Sequence, residues 1–348
     1  MATIYDVARI AGVSAKTVSR VLNSDAPVGK ETREAVEKAI AQLGFVPSNA
    51  ARMMRSNKSG LIGLITGAIS MSPEPTQPAG LPELFIVQDI QKALASSGMT
   101  LMIADTGGSV EKAAPLIYVA EYHQKVSLPS PKGGTPMVLA NCYDDRGTPA
   151  ILPDDFRGQH DLVARLIAAG HRRIGYLMLR PDIAAGPLRH KGYRAALAEA
   201  GIPYDPALVE NCDLEGRDGE TQLLWEAIDR MLRLSNPPSV FCCGNDKVAL
   251  RAYGLLRSMG RKVPTEVSVA GYDNYRVIAE TLYPPLTTVD LPYTAMGLRA
   301  AQRLMAMISG QTREDKGPTL VALPVYWRDS VTELRPANLS LLKSGKEE

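Results

Sequence analysis

The sequence predicts a small all-α head joined to a larger α/β region built on parallel sheets. Three observations predict it. Residues 4–23, IYDVARIAGVSAKTVSRVLN, have the form of two short helices set across a tight turn. From Gly60 onward, short apolar runs alternate with helical stretches, the pattern of parallel strands covered on both faces. Positive charge gathers on residues 1–58, which hold nine Lys/Arg against five Asp/Glu, while the remainder holds 30 against 32.

In the first pair of helices, Thr3 can cap the first, with Asp6 as its capping-box partner, and Ser14 can cap the second. Ala8 is small where the helices must cross, and Gly12 stands where the turn wants a permissive backbone. Val7, Ile10, Val18 and Leu22 supply the apolar seam, which leaves Ala15, Lys16, Ser19 and Arg20 on the outer face. A helix presented in this way fits the DNA major groove. Arg20 suits a bidentate contact with guanine, Lys16 reaches the groove, and Ala15 can touch only a thymine methyl. Thr3, Tyr5, Ser14, Thr17, Asn23 and Thr32 are candidates for phosphate contacts, which fix position without reading sequence. The alternative is a helical hairpin with solvated charges. The caps, the small residue and the glycine all falling in register favour the groove-reading motif.

Residues 30–43 read as a third helix with Val36, Ala39, Ile40 and Leu43 on one face, ended by Gly44. After Pro47, SNAARMMRS consists of good helix formers with too little apolar surface to be stable alone, so it orders only when held. Strand candidates follow at 61–66, 100–104, 136–140, 173–179, 239–244 and 267–272. Helical stretches lie at 82–98, 157–169, 189–200, 219–234, 245–259 and 293–309. In such folds ligands bind beyond the carboxyl ends of the strands.

Composition bounds the function classes. The chain has 348 residues, 45% apolar and 22% charged, as an ordinary globular protein does. No basic-then-apolar leader opens it and no apolar run reaches membrane-spanning length, so a cytoplasmic protein is expected. Cys142, Cys212, Cys242 and Cys243 lack the spacing of a zinc knuckle or a disulfide framework and read as buried thiols. His123, His160, His171 and His190 lack metal-ligand spacing, with His171 after Gly170 reading as a turn residue. No nucleophile elbow, phosphate loop, dinucleotide turn or H-E-x-x-H is present. Neither catalysis nor a cofactor is expected. An architectural DNA-binding protein without an effector is a third possibility.

The block T-I-Y-D-V-A-R-I-A-G-V-S-A-K-T-V-S-R-V-L-N resembles the lactose-repressor/galactose-repressor family of bacterial transcription regulators. G-F-V-P-S-N-A-A-R at 44–52, A-A-G-H-R-R-I-G-Y at 168–176, C-G-N-D at 243–246, V-P-T-E-V-S-V-A-G-Y-D-N at 263–274 and P-P-L-T-T-V at 284–289 extend the resemblance. L-A-N-C at 139–142 and L-P-D-D at 152–155 look most like a sucrose-type repressor within that family.

The resemblance implies a helix-turn-helix DNA-binding domain over 1–46, and a hinge helix and linker over 47–59. A two-lobed, periplasmic-binding-protein-like effector and dimerisation domain over 60–335 and a tail over 336–348 complete it. Two heads of a homodimer would read the half-sites of double-stranded operator DNA. The hinge would enter the minor groove, with Asn49, Ala51 and Met54 among its contacts and Met54 as the apolar wedge. Arg189, Asn245, Asp273 and Asp154 fall on the family's effector-binding positions, and the set suits a polyol. Leu214 stands where relatives often carry an aromatic, which disfavours a purine. Sugar-linked members favour an inducing sugar, with a purine or other co-repressor as the alternative. The tail is too short for a tetramer-forming heptad bundle, so a dimer is expected.

Two departures accompany this likeness. Residues 106–136 are too short for the helix and strand the family places there, and IYVA at 117–120 reads as the strand's remnant with its preceding helix lost. Either the first lobe is rearranged or a deletion leaves its sheet exposing apolar surface. The proline-rich loop at 71–82 is longer than expected.

Overall fold

A computed structural model describes residues 4–23, 28–43, 61–66, 81–104, 115–128, 135–212, 219–311 and 317–334. Thr3, Asn49, Ala51, Met54, Leu214, the hinge at 47–59 and most of the 71–82 loop lie outside the described residues. The chain divides into a head, residues 1–60, and a body, residues 61–348.

The head contains α1 (Ile4–Ala11), α2 (Ala15–Asn23) and α3 (Lys30–Leu43). Gly12 ends α1 at φ +67°, and the Val13 amide returns to the Ala8 carbonyl at 3.0 Å, a closure that needs a left-handed residue at that point. Ser14 caps α2 as its sequence implies, its Oγ accepting from the Thr17 amide at 3.1 Å. Val7, Ala8, Val18, Val21, Val36 and Ala39 form the head's core. Of the expected seam, Val7 and Val18 are buried, the Leu22 side chain lies outside the described portion, and Ile10 needs correction. Ile10 is 43% exposed, and Val21 is buried in the seam. α3 packs over the Val7–Ala8–Ala11 side of α1, which turns Ile10 toward the rim.

The body is two six-stranded sheets. The first contains β1 (Leu61–Thr66), β2 (Thr100–Ala104), β3 (Leu116–Lys125), β4 (Met137–Tyr143), β5 (Ala150–Pro153) and, much later, β11 (Thr319–Val321). Their order is β11-β5-β4-β3-β1-β2, all parallel. α4 (Leu81–Ala95) and α10 (Tyr293–Ile308) cover one face through Ile86, Ile90, Leu94, Met296, Ala300 and Leu304. IYVA lies in β3, which takes its place between β1 and β4. On the sheet's other face Ile65, Leu116, Tyr118, Leu139 and Leu152 are buried. The loss of surface cover expected from a missing crossover helix is therefore not found at these positions.

The second sheet contains β6 (Ile174–Met178), β7 (Val209–Asn211), β8 (Val240–Cys243), β9 (Ser268–Asp273), β10 (Thr287–Asp290) and β12 (Val325–Tyr326). The order is β12-β10-β9-β8-β6-β7, with only the β10–β12 pair antiparallel. Period-two alternation divides its residues between two cores. Tyr176, Cys242, Ala270 and Val289 face α5 (Asp155–Ala168) and α6 (Ala185–Glu199). Leu177, Cys243 and Val269 face α7 (Glu220–Leu232) and α8 (Asp246–Ser258), and the one-turn α9 (Arg276–Ala279) follows β9. All four cysteines are buried, and burial pushes the Cys142 and Cys242 thiols up to about 12, which makes them packing residues.

The chain passes between the sheets at Pro153–Asp155, between β10 and α10, and between β11 and β12. No helix among the described residues is long and apolar enough to cross a membrane.

Candidate functional site

Of the side chains expected on the outer face of the head, Lys16 and Arg20 are open to solvent while Ala15 packs partly against the head core. Thr17 is half-buried on α2, and Tyr5 is exposed on α1. Thr17 Oγ1 also meets Ser14 Oγ at 2.9 Å, which fixes both hydroxyls at the N-terminus of α2. Thr32 is half-buried in the first turn of α3, and the Asn23 side chain lies outside the described portion. The opening turn of α2 turns the positive end of its helix dipole toward an anion such as a phosphate.

The second site is assembled at the carboxyl ends of the second sheet, where α5 enters from the first lobe. Gly192 sets the geometry. A Cβ there would lie 2.3 Å from the Phe156 carbonyl, so only glycine lets α6 approach α5 this closely. One turn earlier on α6, Arg189 reaches the start of α5. Its Nε donates to Asp155 Oδ1 at 2.7 Å and its Nη1 to the Gly244 carbonyl at 2.6 Å. Nη1 also stands 3.6 Å from Asp273 Oδ1, and the guanidinium lies 3.6 Å over the Tyr272 ring. The second oxygen of Asp155 meets His123 Nδ1 at 2.9 Å, a residue of β3 in the first lobe.

Arg189 and Asp155 are both almost wholly buried. Burial alone opposes ionisation of Asp155, but Arg189 and then His123 outweigh it and hold its carboxyl below the usual range. Burial likewise opposes the charge on Arg189, and Asp155, Tyr272 and Asp273 more than restore it.

Asn245 caps α8, its Oδ1 accepting from the Val248 amide at 2.7 Å, so its amide NH2 is the group it can offer a ligand. Asp273 ends β9 at φ +113°, a conformation that costs a non-glycine residue of order 1–3 kcal/mol. A polar network pins the turn that follows it. The Asn274 amide group donates to Asp290 at 2.7 Å, Arg328 donates to Asn274 Oδ1 at 2.7 Å, and the Tyr275 amide donates to Asp246 at 2.7 Å. Asp246 is fully buried and also accepts from Thr288 Oγ1 at 2.7 Å. Burial, with Asp273 adding to it, pushes its carboxyl well above the usual range.

The structure thus brings Arg189 and Asp273 together and places Asn245 directly after the carbonyl that Arg189 holds. Asp154 sits apart from that ion pair, as the N-cap of α5, its Oδ1 accepting from the Arg157 amide at 3.1 Å. Asp155, Tyr272, Asp246 and His123 belong to the cluster without having been singled out for it. The sequence signal for Asp155 was the Asp-Asp pair at the strand-to-helix step. For His123 there was none.

Comparison with known proteins bears on both sites. Residues 3–48 match the family of bacterial regulatory proteins, lacI family, and residues 163–331 match the periplasmic binding protein-like domain. The sucrose operon repressor of Escherichia coli is 30% identical over 340 residues, covering 95% of this chain and all of that protein. The transcriptional repressor PurR of Haemophilus influenzae is 31% identical over 332 residues, 91% of this chain and 93% of that one. Among solved structures, the regulator CelR in complex with cellobiose superimposes with TM-score 0.63 at 28% identity over 95% of this chain and 100% of that one. The Lac repressor dimer bound to operator superimposes with TM-score 0.70 at 25% identity over 95% and 99%. A three-helix head that precedes in sequence a two-sheet body with a buried polar cluster at its strand ends, matched along nearly the whole chain, makes this protein a DNA-binding transcriptional regulator of the LacI family.

Proposed function

We propose that this protein represses carbohydrate-utilisation genes, and that a sugar held between its two lobes sets its affinity for the operator. The observation that carries this is the convergence of Arg189, Asp155, Asp273 and Asn245 at the strand ends between the sheets. Carboxylates accept from vicinal hydroxyls, while guanidinium and amide groups donate to them, a match for a polyol. Tyr272, an aromatic ring in contact with this cluster, is buried and already carries Arg189 on its face, which leaves a flat purine no platform on that ring. The protein acts by binding, without turnover. Tyr283, Val277 and Leu250 are exposed apolar groups on neighbouring segments of the second lobe, suited to a second copy of the chain in a dimer.

The test uses full-length protein and a duplex that it selects from a random-sequence pool. Sucrose, cellobiose, guanine and hypoxanthine are screened by thermal shift and by their effect on duplex binding. A disaccharide at a hundred times its Kd adds about 2.7 kcal/mol of stability. It should also weaken duplex binding, and Asp273→Asn should abolish both effects. A response to purines alone overturns the sugar assignment. Failure to select any duplex overturns the regulatory reading itself.

A further inference from the structure

The groups suited to a ligand sit on the second lobe, and among the described residues an irregular strand of the first lobe reaches them at Asp155. β3 and β4 run in register from Leu116–Met137 to Val119–Ala140, then resume at Gln124–Cys142. Four residues, 120–123, therefore stand opposite one, Asn141. That residue is buried at φ +59° and donates its Nδ2 to the Ala120 carbonyl at 3.1 Å, pinning the irregularity in place. An interruption of this kind forfeits ladder hydrogen bonds and strains a non-glycine residue, and such features gather at functional sites. Its product here is the placement of His123. The ring is 6% exposed, edge-on to Tyr143 at 5.8 Å, with Nδ1 2.9 Å from Asp155 Oδ2.

We propose that His123 is a positioning residue that bridges the first lobe to the Asp155–Arg189 pair, so that a ligand engaging the pair acts on the first lobe through it. This rests on the reading of the cluster as the effector site. Both oxygens of Asp155 are committed, one to each lobe's partner. Tyr272 Oη also approaches the Asp155 carbonyl at 3.5 Å, which ties that residue to the second sheet. A hydroxyl that draws on Asp155 or Arg189 must therefore be felt at His123. The imidazole, packed on Tyr143 and carried by a pinned strand, passes the change to β3 and β4. Coupling between two sites through such an element is typically about 5- to 150-fold in affinity.

His123→Ala separates binding from coupling. With the disaccharide that acts on wild type, sugar affinity should stay within about threefold. The factor by which the sugar weakens duplex binding should collapse toward one, and His123→Gln, whose amide can still donate to Asp155, should restore most of it. A release factor equal to wild type in His123→Ala overturns the proposal. A loss of sugar affinity beyond tenfold also overturns it, because His123 would then be a ligand contact. Should the alanine variant not fold, His123→Asn, too short to reach Asp155, takes its place. If none of the four compounds binds wild type, the effector reading fails by itself and ligand-free hydrogen exchange decides the bridge. Amides of 137–143 and 155–160 should then exchange at least tenfold faster in His123→Ala and not in His123→Gln, and unchanged rates refute it.

Discussion

Replacing Arg189 by methionine isolates the energetics of the buried cluster. The substitution keeps most of the aliphatic stem but removes the donors to Asp155 and the Gly244 carbonyl and the cation over Tyr272. Among the described residues, the wholly buried side chain of Asp155 then keeps His123 as its one partner. Removing one partner of a buried pair costs about 3–5 kcal/mol. The carboxylate has an escape, which is to take up a proton. Starting from an unfolded-state pKa of about 3.9, neutralisation at pH 7 costs about 4 kcal/mol at 1.36 kcal/mol per unit, and at pH 5 only about 1.5 kcal/mol. In wild type the carboxyl is held below its ordinary value, so its stabilising charge is present above the unfolded pKa and lost only as pH falls through the lower, folded one. The penalty of Arg189→Met should therefore be about 4 kcal/mol at pH 7 and should shrink by about 2–3 kcal/mol at pH 5. Urea unfolding followed through Trp225 and Trp327, both in the second lobe, measures it. A penalty under 1 kcal/mol at pH 7, or one independent of pH, would refute the assignment of Asp155 as an ionised partner of Arg189.

Two further outcomes follow from other parts of the molecule. Arg20→Ala should weaken binding to the selected duplex by about 5- to 150-fold, the 1–3 kcal/mol of a bidentate base contact, while changing binding to random DNA far less. Competition anisotropy at fixed salt distinguishes the two, and an equal loss on both would make Arg20 a phosphate contact. Asp246→Asn should raise the urea midpoint, with a gain that grows from pH 5 to pH 8. Its carboxyl is raised in the fold above the unfolded value, so the stability it contributes is lost as pH rises above the ordinary range, a slope asparagine lacks. A gain that is flat with pH would mean that Asp246 is ionised in the fold.

Much of the architecture could be read from local pattern. The helical pair, the third helix and the major alternation of strands and helices follow from caps, glycines and apolar spacing, all of which act within a few residues. The seam failed at Ile10 because amphipathic spacing says which residues share a face and not where a third helix will lie. The strands β5, β7, β10, β11 and β12 have two to four residues each, too few to show a period. In the cluster, Arg189 and Asp273 came from resemblance, and the structure joins them. At Asp154–Asp155 one residue must cap the helix and the other turn inward, and adjacent identical side chains carry no sign of which does what. His123 was invisible for a different reason. Its position depends on a mismatch between β3 and β4, and register between strands is a property of two segments at once.

The interleaving of the two sheets bears on how the molecule is born. β11 lies against β5 with Leu320 beside Leu152, and β12 closes the second sheet only at Val325–Tyr326. A ribosome must deliver the chain as far as residue 319 before the first sheet can be finished and as far as residue 325 before the second can, whereas the three head helices need only one another within residues 4–43. During synthesis, the surface that recognises DNA is available long before the part that governs it.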